Sequence, residues 1–369
     1  MIKVNFVSEF SFQYPILYTQ CDFLVVGQGL AGSLLSFCLQ QEGKTVLVLD
    51  KLTGNASRVA AGMFNLLTGR RLTHSWLADD FLAAADSIYK ELEKCLGQQF
   101  YFPMPVLRIF GSEDDYRVNL EKHQQQQNPF IKHFLQDVYM DGMKPVEKAC
   151  EISGGGYINT EIFLNSWRDK LLSDNNLLEE DFDFESLQIL EDGILYKDIK
   201  AGKIIFCEGY QAVFNPYFKW LPFNLAKGDV LTIYAPGLQE KAIINKGIYI
   251  VPLGNASFRV GATYIWQTLD PNPSETAREE LETELRKIID VDYTVTDHKA
   301  GIRPTVKQRR PFLGFHPQHK NIGIFNGLGT KGVLLGPLLA QQFTNHILYH
   351  QNLLPETDIA FYKKEFVKG

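Results

Sequence analysis

The sequence predicts an α/β protein of two domains, one built on a parallel β–α–β unit and one on a mixed or antiparallel sheet. Three observations predict it. The stretch Phe23–Lys51 reads as strand, glycine-rich turn, helix, strand and acid. Further on, Gly228–Tyr234, Ile248–Val251 and Phe258–Ala262 read as antiparallel strands. The chain's 369 residues are also too many for one typical core and suit two.

Phe23–Val26 is a short apolar run without polar alternation, as in a strand buried on both faces. Gly27, Gly29 and Gly32 follow at the spacing G-x-G-x-x-G and open a helix through Leu30, Ala31, Leu34, Leu35, Phe37 and Leu39. Gly27 permits the tight turn, Gly29 leaves room for a pyrophosphate, and Gly32 lets helix and strand pack closely. The helix N-terminus, with free N–H groups and a positive dipole end, favours a diphosphate. Gly43 stops the helix, and a second strand, Thr45–Leu49, ends in Asp50. A carboxylate there suits ribose hydroxyls and repels a 2′-phosphate, which argues against NADP. The turn by itself does not choose between NAD and FAD.

The loop Lys51–Thr73 mixes small residues and donors: Ser57, Arg58, Ala60, Ala61, Gly62 and Met63 fall here. Small side chains suit close approach to a flat ring, and arginines reach phosphate or carboxylate. Its apolar residues argue for a packed loop. Asp79–Leu96 and Glu161–Leu172 read as amphipathic helices, Glu113–His123 as a polar one. Asp181–Leu190 and Ile194–Lys197 read as a strand pair, and Lys203–Cys207 as a buried strand closed by Glu208 and Gly209. Thr276 with Glu279 reads as a capping box for a charged helix reaching Ile289. A last helix follows Gly336 and runs to Tyr349.

Composition narrows the function classes. A net charge of −6 gives no basic footprint for nucleic acid or anionic lipid. No apolar run reaches membrane-spanning length. The first twenty residues lack a signal-peptide pattern. Five scattered cysteines without a C-x-x-C pair, and eight histidines without ligand spacing, argue against a disulfide framework or a metal site and for a reducing cytoplasm.

The C-terminal stretches Gly301–Pro317 (GIRPTVKQRRPFLGFHP) and Phe325–Phe343 (FNGLGTKGVLLGPLLAQQF) add a further pattern. With the glycine turn and Ser57–Met63, they resemble the glycine oxidase/D-amino-acid oxidase-like family of FAD-dependent oxidoreductases, over Asp22–Leu348 in motif order. The resemblance implies non-covalent FAD in a glutathione-reductase-type Rossmann-like domain (20–80, 155–215 and 300–369). It implies a mixed-sheet substrate domain (81–154 and 216–299), with 1–19 as an extension. It places Gly27, Gly29, Leu30, Ala31, Gly32, Asp50 and Lys51 at the ADP end. Ser57, Arg58, Ala60, Ala61, Gly62 and Met63 match the segment along the pyrophosphate, ribityl chain and ring. Leu187 aligns with a residue whose backbone meets the adenine, and Gly209 with a glycine near the pyrophosphate. Gly327, Gly329, Thr330, Lys331, Gly332 and Val333 match the turn under the pyrimidine end of the flavin.

Arg303 matches the family's substrate-carboxylate arginine and is counted among the residues reaching the cofactor; the alternative is a structural arginine paired to an internal acid. Tyr249 and Tyr264 match the substrate face. Arg259 matches a flavin-facing lysine of some relatives, or is an outward strand charge. Thr330 stands where glycine oxidase has an arginine, and 65–76 departs from its pattern, so substrate identity does not transfer. The implied activity is oxidation of a small amino or imino acid by hydride transfer to the flavin, with oxygen or another acceptor taking the electrons. The flavin domain of a tRNA-modifying enzyme and a non-catalytic FAD-holding protein are the competing readings. Net acidity and single-enzyme length count against the former.

Overall fold

The computed structural model describes residues 19–52, 56–266 and 268–368; the expected extension at 1–19 lies almost wholly outside them. Thr19–Val26 is central in an eight-stranded sheet, with Val46–Leu49 on one side and Ile199–Phe206 on the other, both parallel to it. His319–Asn326 runs parallel to Ile199–Phe206, pairing Ile204 with Ile322, so chain from both ends meets in this sheet. The pair Leu187–Ile189 and Ile194–Tyr196 extends it antiparallel.

Every residue from Leu30 to Leu39 is buried. A helix apolar all round needs cover on all sides. Gly332–Tyr349 and the sheet provide it. Gly32 is what allows that approach: a Cβ there would stand 1.8 Å from the Gly27 carbonyl oxygen. Gly27 itself holds φ +102°, a region that side chains disfavour.

The helix Ala78–Leu96 presents Phe81, Ala85, Ile88 and Leu92 to this same core, and the Tyr89 hydroxyl donates to the Val333 carbonyl at 2.8 Å. The boundary expected at residue 81 therefore cuts a helix whose apolar stripe packs on the first layer.

The second sheet has nine strands. Ala226–Tyr234 lies between Ser257–Gly261 and Thr294–Arg303, antiparallel to both, and Ile243–Lys246 pairs parallel with Val106–Ile109. Its helix, Glu275–Leu285, is capped by Ser274, whose hydroxyl accepts from the Ala277 N–H at 3.3 Å. The expected Thr276–Glu279 box is displaced, because Thr276 already lies inside the first turn. No helix among the described residues is long and apolar enough to cross a membrane.

Candidate active site

The glycine turn, the segment 56–63, the end of Thr294–Arg303 and the start of Gly332–Tyr349 enclose one cavity of about 550 Å3. Of the expected site residues, Gly27, Gly29, Leu30, Ala31, Asp50 and Lys51 line it. So do Ser57, Ala60, Ala61, Gly62, Met63 and Gly209. Gly329, Thr330, Gly332 and Val333 complete the far wall, with Tyr249, Tyr264 and Arg303 above.

Several others stand off it. Gly32 is used in packing, and Gly327 is turned toward Val306 and Pro311. Arg58 donates to Gln28 and Asn165 while its neighbours Ser57 and Val59 face the cavity. Leu187 pairs with Tyr196 in the strand, and the wall there is made by Glu180, Asp181, Phe182 and Phe184 instead. Arg259 is buried, donating to the Ala60 carbonyl at 2.9 Å with Glu161 at 3.5 Å, so it braces the loop from behind. Lys331 donates to the Ser75 hydroxyl at 2.6 Å.

The anion seat is built from backbone. Gly29 brings no side-chain cap to the first helix, and the Ser57 hydroxyl accepts from the Leu30 N–H at 3.1 Å. Asp50 is held by the Gln28 N–H at 2.9 Å and by Arg168 at 3.1 Å, while Arg168 also pairs with Glu179 at 2.7 Å. Arg168 was missed from the sequence. It sits between Trp167 and Leu171 on the core side of its helix, and a charge in such a stripe is the signal that something pairs with it.

Glu208 was missed as well. It lines the cavity with one partner, the Asn215 amide at 2.7 Å, and burial pushes its carboxyl up to about 7.

At the other end, the Arg303 guanidinium stacks over the Tyr264 ring at 5.2 Å. Its Nη1 donates to the carbonyls of Lys227 and Thr263, both at 3.3 Å. No carboxylate among the described residues pairs with it, which removes the internal-acid alternative. Tyr249 lines the cavity nearby, and burial pushes its phenol up to about 12.

A family model described as FAD dependent oxidoreductase matches residues 22–346. The chain belongs to the FAD-dependent oxidoreductase family. This FAD-dependent oxidoreductase is similar to the glycine oxidase of Bacillus subtilis (strain 168), at 24% identity over 86% of this chain and 90% of that one. It is equally similar, 24% identical over its full length, to the tRNA 5-methylaminomethyl-2-thiouridine biosynthesis bifunctional protein MnmC of Legionella pneumophila (strain Corby). It spans 61% of that relative's length.

Among solved structures, glycine oxidase from Geobacillus kaustophilus superposes with a TM-score of 0.76 at 20% identity, over 93% of this chain and 98% of that one. Iminodiacetate oxidase from Chelativorans gives 0.74 at 18%, over 90% and 97%. At these identities the structures establish the FAD-dependent oxidoreductase fold alone. The cavity suits the cofactor: a helix N-terminus opened by a glycine without a side chain for a diphosphate, a carboxylate for ribose hydroxyls, and a small-residue wall for a flat ring.

Proposed function

We propose that this enzyme oxidises an amine carrying a carboxylate, with Arg303 as the carboxylate anchor. Gly27, Gly29, Leu30 and Ala31 would hold the FAD diphosphate, and Asp50 the ribose. Ala60–Met63 and Gly329–Val333 would hold the ring. When bound, the flavin supplies the hydride acceptor. The chain's own residues orient the substrate. Arg303 keeps one edge of its fork for the Lys227 and Thr263 carbonyls and has the other for a planar carboxylate. Tyr264 supports the guanidinium face. The Tyr249 phenol, pushed up to about 12, stays protonated at neutral pH and acts as a hydrogen-bond donor rather than a base.

The observation that carries this reading is that Arg303 lines the cavity and pairs with no carboxylate among the described residues. The experiment is anaerobic mixing of the yellow protein with amino and imino acids. Bleaching by a carboxylate-bearing amine, and none by the matched amine lacking the carboxylate, supports it; equal bleaching by both overturns it. Five free thiols support a reducing, cytoplasmic setting.

A second reading places the reacting amine on an RNA base, in line with the relative named for tRNA 5-methylaminomethyl-2-thiouridine biosynthesis. One charge pattern favours it. Between His298 and Pro355 the chain has seven Lys and Arg and no Asp or Glu, which the net charge of −6 conceals. Tyr264, which lines the cavity, pairs edge-to-face with Trp266, ring centroids 4.7 Å apart, and the two are 42% and 51% exposed. Exposed rings beside cations are how unstacked bases are held.

A further inference from the structure

Two cations outside the cofactor cavity meet one dipeptide, Ser75-Trp76, and a third, the exposed Arg309, precedes one of them in the chain. The Lys331 ammonium donates to the Ser75 hydroxyl at 2.6 Å. The Arg310 guanidinium lies over the Trp76 ring, its carbon 4.2 Å from the ring centroid, and its Nη1 donates to the Arg309 carbonyl. Arg309 closes a turn on Val306 (2.9 Å) with φ +56°, a left-handed conformation that an arginine adopts at a cost. None of the three is paired with a carboxylate among the described residues. Their mutual repulsion registers on Lys331, which burial first, then Arg309 and Arg310, pushes down to about 8.

Like charges gathered without a counter-ion call for an anion. The FAD diphosphate does not answer, because its seat is the first helix N-terminus and none of the three cations lines that cavity. The cluster nevertheless adjoins it: Thr330 and Gly332, on either side of Lys331, and Pro304, which precedes the Val306–Arg309 turn, all form its wall. A single carboxylate would satisfy one cation. A tetrahedral phosphate offers oxygens in several directions to two guanidinium groups, an ammonium and a hydroxyl.

We propose that Arg309, Arg310 and Lys331 form a phosphate-binding subsite, so that the substrate, or the molecule bearing it, carries a phosphate outside the cavity. The order of groups along that substrate rests on Arg303 holding the reacting end; phosphate affinity does not. Two sources share this chemistry, an RNA backbone and a small phosphate ester.

The test is a binding measurement on the FAD-loaded protein, with a fluorescently labelled single-stranded RNA 12-mer and with inorganic phosphate as competitor. Arg309→Gly is the variant of choice, because glycine suits the left-handed backbone and folding is protected. RNA binding that weakens with salt and falls about tenfold or more in Arg309→Gly supports the subsite with RNA as source. Weak RNA binding, with inorganic phosphate shifting tryptophan fluorescence in wild type and needing about tenfold more in Arg309→Gly, supports a small phosphate ester. Binding of neither probe, or equal binding by wild type and variant, overturns the proposal. Because no turnover is measured, a failed amine-oxidation reading leaves this result standing, and the reverse holds too.

Discussion

Gly228 makes room for Arg303: a Cβ built on Gly228 would stand 1.9 Å from the arginine's Nη2 and 2.2 Å from its guanidinium carbon. The two lie on paired antiparallel strands, Gly228 opposite Gly301 and Ala226 opposite Arg303, so they are diagonal neighbours on one face. Only a residue without a side chain lets the guanidinium lie across the strand toward the cavity. Gly228→Ala should push it aside, raising KM for a carboxylate substrate about tenfold or more with FAD content kept. In the double variant with Arg303→Ala the losses should not add, since both remove the same contact. Additive losses would separate the two residues.

Asp50→Ala should weaken FAD binding by about 1–2 kcal/mol, from lost hydrogen bonds of a charged group. It also takes one partner from the buried Arg168, which keeps Glu179. The FAD-free protein should therefore melt at a lower temperature as well. A variant with altered FAD affinity and unchanged apoprotein melting would show that the Arg168 pair contributes nothing.

The Glu208 carboxyl, raised from 4.5 to about 7 by burial, binds its proton more tightly folded than unfolded. Its contribution to stability is complete below pH 4.5 and is lost as pH rises through 7. Relative to Glu208→Gln, wild type should lose melting temperature across that window and run parallel above it. Parallel curves throughout would mean that the carboxyl titrates normally.

Cys207 is the cavity-lining cysteine among the described residues, and burial pushes its thiol far up. A suppressed thiolate does not attack a flavin. Acid precipitation should release all of the FAD into the supernatant; flavin left in the pellet would identify a covalent link.

The glycine turn was legible because its jobs are local: spacing, strand, helix and acid lie within Phe23–Lys51. Tyr249, Tyr264 and Arg303 were legible through motif order. What was lost is side-chain direction. Ser57, Arg58 and Val59 share four residues of helix, and successive side chains on a helix point to different sides, so Arg58 turns to Gln28 and Asn165. Arg259 and Lys331 likewise sit at matching positions but bond away from the cavity. Arg168 and Glu208 depend on partners or walls that only the fold brings near. The acid-free run from His298 to Pro355 was in plain sight, but averaged into the net charge.

If Arg303 anchors a substrate carboxylate, Arg303→Ala removes that anchor from the cavity. The contact exists in ground and transition states alike, so much of its loss should appear in KM. Some should reach the reduction step, since an untethered substrate presents its Cα–H less often. A desolvated charge pair truncated on one side costs about 2–5 kcal/mol. Steady-state kinetics on a carboxylate-bearing amine should therefore show kcat/KM reduced about thirtyfold or more, with near-stoichiometric FAD and partial recovery in Arg303→Lys. Loss of the flavin from Arg303→Ala, or normal turnover by it, would show that Arg303 is structural rather than a carboxylate anchor.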